Sequence, residues 1–420
     1  MNKILKNIIM LYGLNIAKIV FPLLTLPYLT RVLSVNAYGM VAYVKAIMQY
    51  VQIIIDFGFM LSGTRQIVMA RDDQAKINEV ISKNIYASLL LSAISFIGVL
   101  VVMFNSSILS GGYSFTILSF LTVMLSIALV DFYFRGIEKM EVITIRFFVM
   151  KLISTIATLV FVRGDNTLIL MPIFDISGSL WAAMYVFKQL KFRDVRLIKV
   201  PFKHVSLALR ESFVYFSSNI ASTAFNGLNT IVIGFMLPSS QVAFWGICLQ
   251  IVGAIQGLYS PISDAIYPHM VQTRNIEIVK KFLIFLIPLA ILGLTFVYTF
   301  SEDILCIISG SKYRAAGKLL RMLTPVLVMG LISILTGWPT LGAIGKQKQT
   351  TFTTIISAVF QTLGIVILLC LNVFSLKNIA VLRVATECLL AGGRISYTLK
   401  YKREFAHSKV SLIKLRRTKD

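Results

Sequence analysis

The 420-residue chain is 57% hydrophobic and only 14% charged, with a mean hydropathy of +0.81. Soluble domains are roughly 45–50% apolar and about 25% charged, so much of this apolar surface must face lipid, which excludes a cytosolic enzyme, a disordered chain and a secreted disulfide scaffold. The net charge of +23 would suggest nucleic acid in a soluble protein, but polytopic membrane proteins gather Lys and Arg in cytoplasmic loops beside anionic lipid, and no nucleic-acid partner is expected.

A bilayer-crossing helix needs roughly 20 mostly apolar residues. In chain order, twelve such stretches are predicted at 8–30, 40–61, 85–104, 115–134, 145–162, 168–187, 213–237, 242–262, 282–300, 319–341, 352–371 and 379–399. Lys3 and Lys6 precede an apolar run much longer than a signal-peptide core, so the first span is expected to remain in the protein. With the N-terminus inside, the inner segments carry several-fold more Lys and Arg than the outer ones, which places both termini in the cytoplasm. One outer loop departs from that rule, holding Lys312, Arg314, Lys318 and Arg321; an interfacial helix and a functional patch both fit it.

The longest inner connection carries Lys188, Lys191, Arg193, Arg196, Lys199, Lys203 and Arg210 and separates two sets of six spans. The expected organisation is a six-helix lobe over 1–190, a basic cytoplasmic linker over 191–212, a second six-helix lobe over 213–399 and a basic cytoplasmic tail over 400–420. Aligning the halves puts Asn15-Ile16-Ala17 on Asn219-Ile220-Ala221, and Phe21, Leu24 and Leu33 on Phe225, Leu228 and Leu237. Six is even, so both halves enter from the same side and are parallel repeats about a pseudo-two-fold axis along the membrane normal.

Polar stripes run through the spans. Asn15, Lys18, Pro22 and Thr25 share one face of the first helix, and Asn219, Ser222, Asn226 and Asn229 repeat the pattern in the seventh. The second carries Lys45, Gln49, Gln52 and Asp56; the eighth carries Gln250, Gly253, Gly257, Ser260 and Asp264. Polar side chains commonly join membrane helices, and for the Asn and Ser positions that reading weighs as much as a cavity. A mid-membrane Lys costs about 2.5–3.5 kcal/mol on insertion scales unless water or a partner receives it, which assigns Lys18 to a wet cavity. Asp131, Arg135, Lys151, Asp175, Arg383 and Glu387 are functional candidates, with salt-bridged helix pairs as the structural alternative. Arg135, Arg146 and Lys151 can instead snorkel to the cytoplasmic surface. Pro22, Pro27, Pro172, Pro261, Pro288 and Pro325 are expected to break or bend their spans.

The four cysteines and three histidines have no metal-ligand spacing, so neither a metal nor a cofactor is expected. No nucleophile elbow, phosphate loop or zinc motif occurs, and no long loop could hold a catalytic domain, so the chain is not read as an enzyme. Pumping would draw on an ion gradient, the membrane potential or consumption of product.

Three stretches carry a family likeness. Leu11 to Gly39 ends in Pro27-Tyr28-Leu29-Thr30-Arg31-Val32-Leu33 and then Tyr38-Gly39. Asp56-Phe57-Gly58-Phe59 is followed by Thr64-Arg65, and Phe132-Tyr133-Phe134-Arg135-Gly136-Ile137-Glu138-Lys139-Met140 closes the fourth span. These resemble the polysaccharide flippases of the multidrug/oligosaccharidyl-lipid/polysaccharide exporter superfamily. The resemblance implies an all-α integral membrane protein of about 12 transmembrane helices in two six-helix lobes, MATE-like, in the bacterial inner membrane. It implies a carrier that moves polyprenyl-pyrophosphate-linked O-antigen or capsule units to the outer leaflet through a cationic cavity open to alternate sides. A polysaccharide polymerase and a chain-length regulator are the implied protein partners.

Lys18, Lys45 and Arg31 would then offer charge-assisted hydrogen bonds to pyrophosphate. Asn15, Gln49, Gln52, Asn219, Asn226 and Asn229 suit sugar hydroxyls. Asp56, Asp175, Asp264 and Glu387 are the candidates for a coupling proton or cation. A drug–cation antiporter of the same superfamily would want an acidic or aromatic cavity, a membrane glycosyltransferase or polymerase a large outer loop, and a structural scaffold no charged spans.

Overall fold

The computed structural model describes residues 3–405, with the side chains of 3–5, 8, 218 and 221–226 outside the description. Among the described residues there is no strand, and the chain divides into two compact units. The first holds residues 1–223 and 230–243; the second holds 224–229 and 244–420.

The first unit contains α1 (Lys3–Val32), α2 (Val35–Asp56), α3 (Phe59–Met69), α4 (Gln74–Asn105), α5 (Tyr113–Leu125), α6 (Asp131–Gly136), α7 (Met140–Phe161) and α8 (Leu170–Lys191). Helix α9 (Phe202–Met236) contributes to both units. It begins within the stretch expected to be linker, so the irregular connection after α8 is short. Helix α1 packs on α7, α7 on α8, α8 on α5, and α5 and α4 on α2. Ile67, Ile81, Phe134 and Val186 are fully buried in this unit's core.

The second unit contains α10 (Ser239–Gly257), which starts in the first unit, then α11 (Tyr259–Thr273), α12 (Ile276–Thr299), α13 (Ser301–Ser309), α14 (Gly317–Leu323) and α15 (Pro325–Thr336). A π-turn over Gly337–Gly342, α16 (Gln347–Cys370) and α17 (Leu376–Lys400) complete it. Helix α17 packs on α15 and α16, and α12 on α15. Ile284, Phe285, Leu289, Leu292 and Phe296 of α12 lie on its exposed surface, as expected of a helix whose solvent is hydrocarbon.

Each of the twelve predicted stretches is helical over most of its length, and among the described residues ten helical stretches are long and apolar enough to cross a membrane. Of the others, α9 offers the shorter apolar piece Gly227–Met236, and α17 carries Arg383, Glu387 and Arg394 through its middle.

Two of the expected breaks fall at prolines: the eighth span is interrupted at Leu258, shortly before Pro261, and the tenth at Thr324, directly before Pro325. Pro172 also sits in a first turn, where the missing N–H had no helical acceptor anyway. Helix α1 instead runs through Pro22 and Pro27, and α12 through Pro288. Two further interruptions fall where the backbone turns left-handed: Phe57 (φ 37°) and Gly58 (φ 79°) between α2 and α3, and Val130 (φ 39°) before α6. Gly58 is required twice over, because a Cβ there would also stand 2.6 Å from Tyr215 Cβ. Val130 is β-branched, and left-handed backbone at such a residue costs of order 1–3 kcal/mol.

Candidate functional site

A hollow of about 250 Å³ lies inside the first unit, walled by α1, α2, α7 and α8. Helical spacing explains its lining. Lys18, Phe21, Pro22 and Thr25 recur at three- and four-residue steps on α1, and Lys151, Ser154, Thr155 and Thr158 do the same on α7; such steps keep side chains on one face. Lys45 enters from α2 and Asp175 from α8.

Asp175 Oδ1 accepts from Lys151 Nζ at 3.2 Å and from Ser154 Oγ at 2.6 Å. Lys45 feels both Asp175 and Lys151 electrostatically, and Lys18 Nζ lies 5.9 Å from the Phe147 ring centroid. Lys18, Lys45 and Lys151 thus line one hollow with Asp175, and Lys18 also acts electrostatically on Asp131.

A second hollow of about 110 Å³ is lined by Gln52, Asp56, Ser88, Ser126 and Asp131 among others. Gln52 Nε2 donates to Asp56 Oδ1 at 2.9 Å and to Ser126 Oγ at 3.0 Å. Asp131 pairs with the buried Arg146 guanidinium at 2.5 Å. Lys45, Gln52 and Asp56 belong to one stripe of α2, and eleven residues at 1.5 Å rise put about 16 Å between the ends of that stripe. One helix face therefore connects a cationic hollow to an amide- and carboxylate-lined one.

The remaining predicted residues lie elsewhere. Asn15 and Gln49 are exposed on α1 and α2 and line neither hollow. Arg31 is exposed in the last turn of α1, Asn219 is exposed on α9, and Asp264 is exposed on α11. The side chain of Asn226 lies outside the described residues. Asn229 is fully buried in the second unit, where its Oδ1 accepts from Gln361 Nε2 at 2.8 Å, and Thr386 Oγ1 donates to Gln361 Oε1 at 2.5 Å. Glu387 is 3% exposed, paired with Arg383 at 2.6 Å and accepting from Ser333 at 3.1 Å. Arg394 donates to the Ser333 carbonyl at 2.6 Å and to Thr354 at 3.1 Å. In the basic segment 312–321, Arg314 and Arg321 both grip Glu302, at 3.3 and 3.2 Å.

Sequence reasoning left Lys151 open between a functional charge and one that reaches the surface; the structure puts it in the hollow. The signal was present in its polar neighbours Ser154, Thr155 and Thr158, one helical face of the fifth span. Among the described residues, no group of three or more His, Cys, Asp or Glu could hold a metal.

The profile of the family described as "Polysaccharide biosynthesis protein" matches residues 4–274. A Shigella dysenteriae protein, named as a candidate O-antigen transporter, is 28% identical over 369 residues, covering 85% of this chain and 91% of its own. An Escherichia coli (strain K12) protein of the same name is 24% identical over 396 residues, covering 92% and 94%. Among solved structures, the lipid II flippase MurJ in an inward closed conformation superposes with TM-score 0.72 at 15% identity, over 94% of this chain and 87% of its own. An inward-facing MATE-family multidrug transporter does so with TM-score 0.66 at 14% identity, over 94% and 99%. At these identities the structural likeness speaks to the fold alone.

Proposed function

The chain belongs to the polysaccharide biosynthesis protein family, within the polysaccharide flippases of the multidrug/oligosaccharidyl-lipid/polysaccharide exporter superfamily, and from that membership we propose that it carries polyprenyl-pyrophosphate-linked oligosaccharide units across the bacterial inner membrane. The observation that carries the reading is the hollow in which Lys18, Lys45 and Lys151 meet inside apolar helices. A pyrophosphate dianion matches its lysines, and ammonium-to-phosphate hydrogen bonds are among the stronger ones. A cationic drug would be repelled there, which disfavours the antiporter reading.

The passage works by alternating access. Lys18 and Lys45 take the pyrophosphate, with Arg31 along its path. Gln52 and Ser126, beside Asp56, offer donors and acceptors to sugar hydroxyls, and the exposed Asn15 and Gln49 of the same unit can add to them. The polyprenyl tail stays in lipid. Of the four candidate carboxylates, coupling to a proton or cation falls to Asp56, Asp175 or Asp264, since Glu387 is locked in a dry pair with Arg383. Both termini face the cytoplasm, and a polymerase and a chain-length regulator act on the product.

The test is a cell lacking the protein. It should accumulate lipid-linked repeat units on the cytoplasmic leaflet, and the accumulation should clear on re-expression of the wild-type chain but not of a K18M/K45M double variant. No accumulation, or full rescue by the double variant, overturns the assignment.

A further inference from the structure

We propose that Asp175 is a built-in counter-ion that fills the anion site when no substrate is present and keeps ordinary phospholipid headgroups out of it. The proposal rests on reading the hollow as the pyrophosphate site.

The geometry carries the argument. Asp175 Oδ1 draws on Lys151 Nζ and Ser154 Oγ together, at 3.2 and 2.6 Å; one ammonium and one hydroxyl on a single anionic oxygen is also what a phosphate oxygen would take. Lys45 and Lys18 share the hollow. The charged groups acting on Asp175 are Lys151 on α7 and Lys45 on α2, with Lys18 on α1 in the same hollow and also acting on Asp131. The carboxylate comes from α8, a different helix from each of the three lysines.

The pair is also weak enough to exchange. The Lys151 and Asp175 side chains are 36% and 33% exposed, and a solvent-reached ion pair adds little to stability. Arg383 and Glu387, at 5% each, are the opposite case, because breaking a dry pair strands a buried charge.

Selectivity follows from charge counting. A bilayer phospholipid offers a phosphodiester with one negative charge, which gains no advantage over the resident carboxylate. A pyrophosphate carries at least two charges on adjacent phosphates, so it can replace Asp175 at Lys151 and engage Lys45 or Lys18 as well. Bilayer lipid vastly outnumbers the substrate, so a bare three-lysine hollow would be occupied by the wrong headgroup. Asp175 sets a threshold that a single charge does not pass.

The experiment uses the full chain in detergent, with inorganic pyrophosphate and dimethyl phosphate as probes, read by calorimetry. Wild type should bind pyrophosphate and reject dimethyl phosphate. Asp175→Asn should bind pyrophosphate about fivefold more tightly, the upper end of what one exposed ion pair controls, and should admit dimethyl phosphate. Asp175→Glu should restore the discrimination, which a merely structural role for the carboxylate would not produce. Asp175→Ser provides the same comparison if the Asn variant does not fold. Unchanged or weaker pyrophosphate binding in the folded variants, with dimethyl phosphate still rejected, overturns the counter-ion role while leaving the anion site standing. Absence of pyrophosphate binding in wild type and variants alike overturns the reading of the hollow, and the proposal with it.

Discussion

Two of the opposite-charge pairs in the apolar helices of this chain behave as different objects. Lys151 with Asp175, in the first unit, opens onto a hollow and is about one-third exposed on each side. Arg383 with Glu387, in the second, is 5% exposed on each side and held further by Ser333. In the sequence both are simply a base and an acid within a span. Access to water separates them: a wet pair can exchange partners, and a dry pair is a structural strut whose desolvation has already been spent.

The sharpest way to break this comparison is to strand a charge in the dry pair. Glu387→Ala should cost about 3–5 kcal/mol, seen as a large drop in thermal unfolding temperature in detergent, whereas the apolar double replacement Arg383→Met with Glu387→Leu should recover most of it. Equal damage from both variants would mean that the pair does more than neutralise itself. Next in size, Lys45→Met should weaken pyrophosphate binding by about 1.5–3 kcal/mol, the worth of a charged hydrogen bond, with the unfolding temperature nearly unchanged.

Smaller again, Val130→Gly should stabilise the first unit by about 1 kcal/mol, because glycine tolerates the left-handed turn that valine resists; a destabilised variant would show that the isopropyl group's packing outweighs its backbone strain. The smallest effect lies outside the membrane. Backbone hydrogen bonding from Lys76 holds the Asp73 carboxyl below its usual range at the start of α4. A depressed folded pKa contributes stability above the unfolded value of 3.8 that is lost as pH falls through the folded one. Amide exchange in the first turn of α4 should therefore quicken below about pH 4, and Asp73→Ala should remove that pH response.

Much of the fold was legible from hydropathy alone. Each of the twelve apolar runs of membrane length is helical, since lipid leaves the backbone no partner but itself. The interruptions were half legible. Pro261 and Pro325 follow the breaks at Leu258 and Thr324, but those at Phe57-Gly58 and Val130 are left-handed backbone that no composition rule singles out. The site was half legible. Lys18 and Lys45 stood out because an ammonium in a span needs a reason, and α2's stripe pointed from Lys45 to Asp56. Lys151 stayed open between a functional charge and one that reaches the surface, because a lysine's length permits either. Asn229, weighed equally as lining and as helix-joining, is bonded to Gln361.

What the sequence determined by itself is therefore one-dimensional: which stretches are helical, which are apolar enough for lipid, and which faces of them are polar. Those follow from the helix period and from the cost of exposing apolar surface to water. Only the tertiary structure decided which charges meet. Lys18, Lys45, Lys151 and Asp175 come from four different helices, and whether an acid finds a lysine across a wet hollow or an arginine in a dry seam depends on side chains converging from distant parts of the chain.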